Sequence, residues 1–420
     1  MGAGAAGLTA AIFAARAGAR VLLLETRPAP GAKIRASGGG RCNVLPSAMT
    51  LDDFHTSGSR TALRNILLSW PLDDVRAFFE HDLGVPLKLE STGKLFPADD
   101  DPRRVVAALL DACRAAGVTL YGDFRVTKVK RLDTSGAGAD GAGAATTEAA
   151  ARFALTAAGG ARVICDRLVL ATGGLSLPKT GSDGHGFALV RAWGHALVPP
   201  YPALVPLLCD DPRWRALAGV SLPARVRAMR NGRVLVEERT GSFLFTHRGF
   251  SGPVVLDMSR HLTGPAGEAT QLRVGWGGDE APDWDDRLRR GGARPLAGLL
   301  AERLPRRLAE RLIEETGLQP AVRAADLTRE SRRALVAALA DFPLPVVGNE
   351  GYRTAEVTGG GVPLGELSPR TLESRIVPGL HFAGEILDGT GRIGGFNFLW
   401  AWVTGRKAGL AVGAGRSHGG

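Results

Sequence analysis

Three glycines at the start of the chain, Gly2, Gly4 and Gly7, stand in the order G-x-G-x-x-G. In a turn from a buried strand into a helix, that spacing binds phosphate. It brings helix N-terminal N–H groups, carrying roughly half a unit of positive charge, against a pyrophosphate. Glu25 closes the apolar run "ARVLLLE", about 20 residues further on, where a carboxylate accepts hydrogen bonds from a ribose hydroxyl. Two later segments repeat the logic. "DRLVLATGGLS" runs an apolar strand into Ala171, Thr172, Gly173 and Gly174, small residues that let backbone approach a nucleotide closely. "GLHFAGEILD" runs another into Gly384, Glu385 and Asp388, and Gly394 with Gly395 precede a long helix in "GRIGGFNFLWAWVTGRKAG". His247 in "FTHRGFSG", His185 in "GSDGHGF" and Arg41 are the candidates for moving a proton. Cys42 is the one cysteine in a glycine-rich loop; the plainer reading of a lone Cys or His is structural.

These residues need elements to hold them. Residues 4–18 read as a small-residue helix and 19–25 as a buried strand. Nucleotide-type elements therefore sit at both ends of the chain, and the middle is of another kind. Residues 200–280 read as short strands, with Asn231-Gly232 as a hairpin turn in "ARVRAMRNGRVLVEE". Residues 283–341 read as helices, one starting at Thr328, and 346–362 return to strand character. The expected organisation is a discontinuous nucleotide domain, residues 1–195 and 346–420, interrupted by 196–345, which is β-rich over 196–282 and helical over 283–345. Residues 133–150 are low-complexity and read as a hairpin tip without function. The fingerprint calls for a strand before Gly2, yet only Met1 precedes it. The expectation is that the first strand, about six to ten apolar residues, is encoded upstream.

Composition limits the alternatives. The chain has 420 residues, 45% of them apolar, and no apolar run reaches the ~20 residues of a membrane span. The start lacks the basic region of a signal peptide, so the protein reads as cytoplasmic. Cys42, Cys113, Cys165 and Cys209 are widely spaced with no C-x-x-C, which indicates neither a metal cluster nor a disulfide framework. The formal charge is +10, a balance that fits a polyanionic partner. The bland reading is compositional, because the basic residues are nearly all Arg in an Ala/Gly-rich chain.

Five stretches carry a family resemblance: "GAGAAGL", "KIRASGGGRCNV", "LVLATGGLSLPKTGSDGHGFALVRAWGH", "SFLFTHRGFSGP" and "GLHFAGEILDGTGRIGGFNFLWAW". Together they resemble the HI0933-like (BaiN-type) FAD-dependent oxidoreductases over nearly the whole chain. The resemblance implies an α/β fold: a doubly wound FAD/NAD(P)-binding domain of the two-dinucleotide-binding type, interrupted by a β-barrel-like domain with a small helical insertion. It implies FAD as cofactor. Gly2, Gly4, Ala6 and Gly7 would hold the pyrophosphate, Glu25 and Thr26 the adenosine ribose. Ser37, Gly38, Gly39, Gly40, Arg41, Cys42 and Asn43, with Lys33 before them, would run beside the flavin ring, where backbone without Cβ can lie flat against its face. Ala171, Thr172 and Gly173 would pass the adenine side. Gly384, Glu385 and Asp388 would meet the ribityl region, and Gly394, Gly395, Phe396 and Asn397 would aim the last helix at the ring. Catalytic candidates are His247, Arg41 and Cys42. The chain departs from the family pattern at Ile393 and Leu399, where Thr and Gln are common. The implied activity is reduction of a conjugated C=C bond of a small substrate, with NAD(P)H as a transient donor. The alternatives are reduction of uridine in ribosomal RNA and flavin binding without turnover.

Overall fold

The structure, a computed structural model, describes residues 1–132, 152–278 and 280–414. The chain divides into two units, Met1–Pro200 with Val357–Gly420, and Tyr201–Glu356. The low-complexity hairpin tip expected at 133–150 lies outside the described residues.

The first unit is built on short parallel strands. Leu22–Leu24 pairs with Thr119–Tyr121, and Leu168–Leu170 pairs with Leu380–Phe382. Residues 1–3 lie between these pairs and hydrogen-bond to both. Gly2 N donates to Leu24 O (2.8 Å), Ala171 N donates to Met1 O (2.9 Å), and the Met1 ammonium donates to Val169 O (2.9 Å). Burial lowers the pKa of that ammonium to about 6. An antiparallel sheet of Val126–Leu132, Arg152–Ala157 and Arg162–Cys165 is appended.

Helix Ala5–Arg16 forms because its run of Ala, Leu and Ile is both helix-favouring and apolar, and all but a few of its side chains are buried. It packs against the last helix, Phe396–Gly413. Glycines spaced four apart make that contact close. A Cβ on Gly405 would lie 2.5 Å from Ala6 O, and one on Gly409 would lie 2.4 Å from Ala10 O. The helix that follows the Gly2–Gly7 turn and the helix that follows Gly394-Gly395 are thus locked backbone to backbone.

The second unit holds a seven-stranded antiparallel sheet. Its order is Phe342–Pro343, Thr270–Trp276, Ser221–Arg230, Val234–Thr246, Gly249–Ser251, Leu207–Leu208 and Gly348–Asn349. The hairpin turn falls at Asn231-Gly232, as its residues demand. Alternate residues Leu222, Ala224, Val226 and Ala228 are buried under Trp214, Trp276, Phe243 and Phe245. The resemblance implied a barrel-like closure, and no ladder closes the two edges among the described residues. The sheet is nevertheless rolled. Its edge strands end at Pro343 and begin at Gly348; five residue steps span at most about 18 Å, whereas seven flat strands span roughly 29 Å. Helices Ala281–Arg290, Leu296–Leu300, Arg306–Glu315 and Arg329–Ala340 follow. The long helical run after Pro295 is broken at Pro305, and the Thr328 hydroxyl caps the last of these helices by accepting from Ser331 N. Among the described residues no helix is long and apolar enough to cross a membrane.

Candidate cofactor site

The turn into the first helix is tight at one glycine and open at another. A Cβ on Gly7 would lie 1.8 Å from Gly2 O, so strand end and helix touch there. Gly4, the N-cap, has no atom within 4 Å of its Cβ position, and no side chain caps the helix. The first-turn N–H groups of Ala5, Ala6 and Gly7 have no intrahelical acceptor and face that opening. Glu25 is buried at the end of its strand. Its Oε2 accepts from Ala3 N (2.7 Å) and its Oε1 from Arg27 N (2.9 Å). The carboxylate therefore braces the glycine turn and keeps a second acceptor position on each oxygen. Thr26 beside it is exposed.

Ala171 and Gly384 close on the same turn. A Cβ on Gly2 would lie 2.4 Å from Ala171 O, and one on Gly384 would lie 2.7 Å from Ala6 Cβ. Thr172 Oγ1 is buried and has no hydrogen-bond partner, and Gly173 abuts Ser182 Oγ. Trp400 is buried in the core, and its Nε1 donates to Gly384 O (3.2 Å).

Lys33 and Glu385 meet. Lys33 Nζ donates to Glu385 Oε2 (2.6 Å) and to Ser176 Oγ (2.9 Å). Glu385 Oε1 accepts from Ser176 Oγ (2.6 Å) and Thr358 N (2.9 Å). Burial pushes the Glu385 carboxyl up, but the Lys33 ammonium and these hydrogen bonds outweigh it and hold the carboxyl below its ordinary range. Asp388 is buried too, accepting from Thr56 Oγ1 (3.0 Å) and Ser57 N (2.9 Å). There burial prevails, and its pKa is raised. Ser176, Thr358 and Thr56 escaped the sequence reading. Their only signal was a hydroxyl residue within or beside a glycine-rich or turn segment.

The segment Ala32–Gly40 starts as a helix and breaks at Ser37, whose hydroxyl turns back to Ile34 O (3.0 Å). Gly38, Gly39 and Gly40 then adopt φ of 58°, 68° and 83°, a left-handed path that glycine takes without steric cost. Gly38 abuts Asn43 and Phe96, whereas Gly39 and Gly40 face open space. Asn43 joins this loop to the last helix. In the orientation that satisfies its amide, its oxygen accepts from Gly395 N (3.0 Å) and its nitrogen donates to Leu45 O (3.2 Å). Asn397 ties down the preceding turn: its Oδ1 accepts from Gly391 N and its Nδ2 donates to Gly391 O, both 2.8 Å. Phe396 is buried edge-on to Phe54, and Gly394 lies against Phe396 and Lys94.

The three catalytic candidates are placed differently. Arg41 pairs with Glu90 (2.5 Å) and Asp100 (3.4 Å) and stacks over Phe96. Cys42 is fully buried, and burial pushes its thiol up to about 12 despite a hydrogen bond from Ser37. That stands against a thiolate at neutral pH. His247 belongs to the second unit and is exposed at the turn between Val234–Thr246 and Gly249–Ser251.

The first unit thus gathers Gly2–Gly7, Glu25, Lys33, the Ser37–Asn43 loop, Ala171–Gly173, Glu385 and Gly394–Asn397. FAD fits these residues. The open helix N-terminus suits a pyrophosphate, Glu25 has acceptor capacity for a ribose, the Thr172 hydroxyl lacks a partner, and Gly39-Gly40 leave a Cβ-free space for a planar ring. The arginines of the second unit's helices are largely ion-paired: Arg289 to Asp285 (2.7 Å), Arg290 to Asp286 (3.0 Å), Arg306 to Glu310 (2.9 Å), and Arg311 to Glu314 and Glu315.

A family model described as the HI0933-like protein Rossmann domain matches residues 1–411. Over 410 residues the chain is 37% identical to a ribosomal RNA dihydrouridine synthase of Escherichia coli, covering 96% of this chain and 94% of that protein. Over 423 residues it is 33% identical to a 3-dehydro-bile acid delta(4,6)-reductase of Clostridium scindens, covering 98% of both. Among solved structures, a 3-ketosteroid-delta4-(5alpha)-dehydrogenase of Rhodococcus jostii is 16% identical with a TM-score of 0.44, over 98% of this chain and 95% of that one.

Proposed function

Because this chain belongs to the HI0933-like family of FAD-dependent oxidoreductases, we propose that it reduces a C=C bond conjugated to a carbonyl, with NAD(P)H as the electron donor. One observation carries the reading. The two relatives differ in substrate size but agree on the bond: a delta(4,6)-reductase of a 3-oxo steroid acid and a synthase of dihydrouridine both saturate a carbon pair conjugated to a carbonyl. FAD, when bound, supplies the hydride chemistry. The chain's own residues bind and orient. The first-turn N–H groups at Gly4 and the Glu25 carboxylate take the adenosine diphosphate half. Ser37–Asn43 and Gly394–Asn397, tied through Asn43 and Gly395, flank the ring. The Lys33–Glu385 pair fixes the segment leading into the glycine loop. NAD(P)H binds transiently, since the sequence holds one dinucleotide fingerprint. Of the three catalytic candidates, Arg41 is held by carboxylates and Cys42 is a buried thiol, which disfavours both as proton carriers.

On substrate, the first reading is a small apolar enone, supported by the 33% identical reductase. The second is a uridine in ribosomal RNA, favoured by the 37% identical synthase and the +10 charge, and weakened by the ion pairing of the helical arginines. Anaerobic mixing of NADH- or NADPH-reduced protein with a 3-oxo-Δ4 steroid tests the first: reoxidation of the flavin with saturation of the bond is expected. Mass analysis of ribosomal RNA from a strain lacking the gene tests the second: a uridine replacing one dihydrouridine is expected. If reduced protein leaves the steroid bond intact and the ribosomal RNA of the deletion strain is unchanged, the proposed reaction class is refuted for these substrates.

A further inference from the structure

We propose that Lys94 is a further residue of the flavin site, placed to hold a positive charge against the ring when it accepts hydride. The inference rests on the FAD reading above. Lys94 opens the strand Lys94–Pro97, lies opposite Pro46 in register with Leu45–Pro46, and is half-buried. Gly395 touches the same place, since a Cβ on it would lie 2.5 Å from Leu45 C and 2.8 Å from Pro46 N. The Lys94 stem runs alongside Gly394: a Cβ there would lie 3.6 Å from Lys94 Cε and 3.8 Å from its Cγ.

Charge pairing singles this lysine out. Lys33 meets Glu385, Arg41 meets Glu90, Lys88 meets Asp100, and Arg392 meets Asp53 at 2.9 Å. Among the described residues the Lys94 ammonium meets no carboxylate and makes no hydrogen bond. A half-buried cation without a counter-charge costs solvation, and it is retained at the glycine pair assigned to the flavin ring. The chemistry supplies the counter-charge. Hydride from a dihydronicotinamide carries two electrons and one proton to the ring's N5. The donor leaves as a nicotinamide cation, and the ring gains one negative charge over N1 and the C2 carbonyl. An uncompensated ammonium beside the ring stabilises that charge and raises the flavin's reduction potential.

The test uses flavin-loaded protein and reads the ring rather than turnover. Sulfite adds through its sulfur lone pair to N5 and places the same negative charge on the ring, so its dissociation constant reports the local positive charge. Wild type, Lys94→Met, Lys94→Gln and Lys94→Arg are titrated with sulfite by flavin absorbance, and their midpoint potentials are measured. Both neutral variants are expected to bind sulfite about tenfold or more weakly and to have more negative potentials, with Lys94→Arg close to wild type. Loss of flavin from the neutral variants alone, with Lys94→Arg still loaded, is the stronger form of the same result. Neutral variants that bind sulfite within twofold of wild type, or loss of flavin from all three variants, overturn the assignment of Lys94. A wild type that takes up no flavin refutes the FAD reading itself and the assignment with it.

Discussion

Two single-atom-group changes in the glycine turn separate structure from binding. Gly7→Ala places a methyl 1.8 Å from Gly2 O and 3.0 Å from Gly2 C, where ordinary contact needs about 3.5 Å. About 1.7 Å of movement is required, and Gly2 cannot give it, being bonded to Leu24 O and pressed on Ala171. Overpacking of this kind costs about 3 kcal/mol, a large share of a net stability of ~5–15 kcal/mol. With an unfolding entropy of about 2 cal/mol/K per residue, a chain of 420 residues shifts by about 1 °C per kcal/mol, so the melting temperature falls by roughly 3 °C. Gly4→Ala places its methyl in open space on a backbone with φ −82°, which any residue adopts, so stability should change by no more than about 0.5 kcal/mol. That same methyl enters the space assigned to the pyrophosphate and should weaken FAD binding by about 1–3 kcal/mol, roughly five- to 150-fold. Thermal melts of flavin-free protein and FAD titration by fluorescence measure both effects. If Gly4→Ala takes up FAD like wild type, the open helix N-terminus is not the pyrophosphate site. If it melts as early as Gly7→Ala, the steric reasoning is wrong.

Three further outcomes are expected. Lys33→Met leaves the Glu385 carboxylate buried without its counter-charge and should cost about 3 kcal/mol in urea unfolding, with much of it recovered when Glu385→Leu is added; equal stability of the single variant would refute the pairing. In the second unit, burial raises the Glu237 carboxyl, but the hydrogen bond from His261 and the charges of Arg260 and Arg239 prevail and hold it at about 2. A lowered carboxyl stabilises above its ordinary 4.5 and loses that contribution as pH falls toward 2. Wild type should therefore shed about 3 kcal/mol more than Glu237→Gln across that window, and parallel pH–stability curves would contradict this. Cys42, buried with its thiol at about 12, should resist iodoacetamide at pH 8 in the folded protein and react once unfolded; rapid labelling of the native protein, read by mass, would return it to the catalytic candidates.

What the sequence determined by itself was local. The Gly2–Gly7 turn, the small-residue helix after it, the Asn231-Gly232 hairpin, the Thr328 cap and the glycine pair before the last helix were legible, because turn chemistry, helix period and capping act within a few residues. The family motifs added the expectation that the glycine turn and the glycine pair serve one cofactor. Only the tertiary structure decided what each side chain does there. Lys33 and Glu385 stand 352 residues apart, and Asn43 lies as far from Gly395; no spacing rule reaches across such a distance. It was also the fold that turned Arg41 away to Glu90, buried Cys42, left Gly4 open while closing Gly7, and set Lys94 against Gly394 without a carboxylate. Charge and reactivity depend on what crowds a group from other parts of the chain, and burial and pairing exist only once distant segments meet.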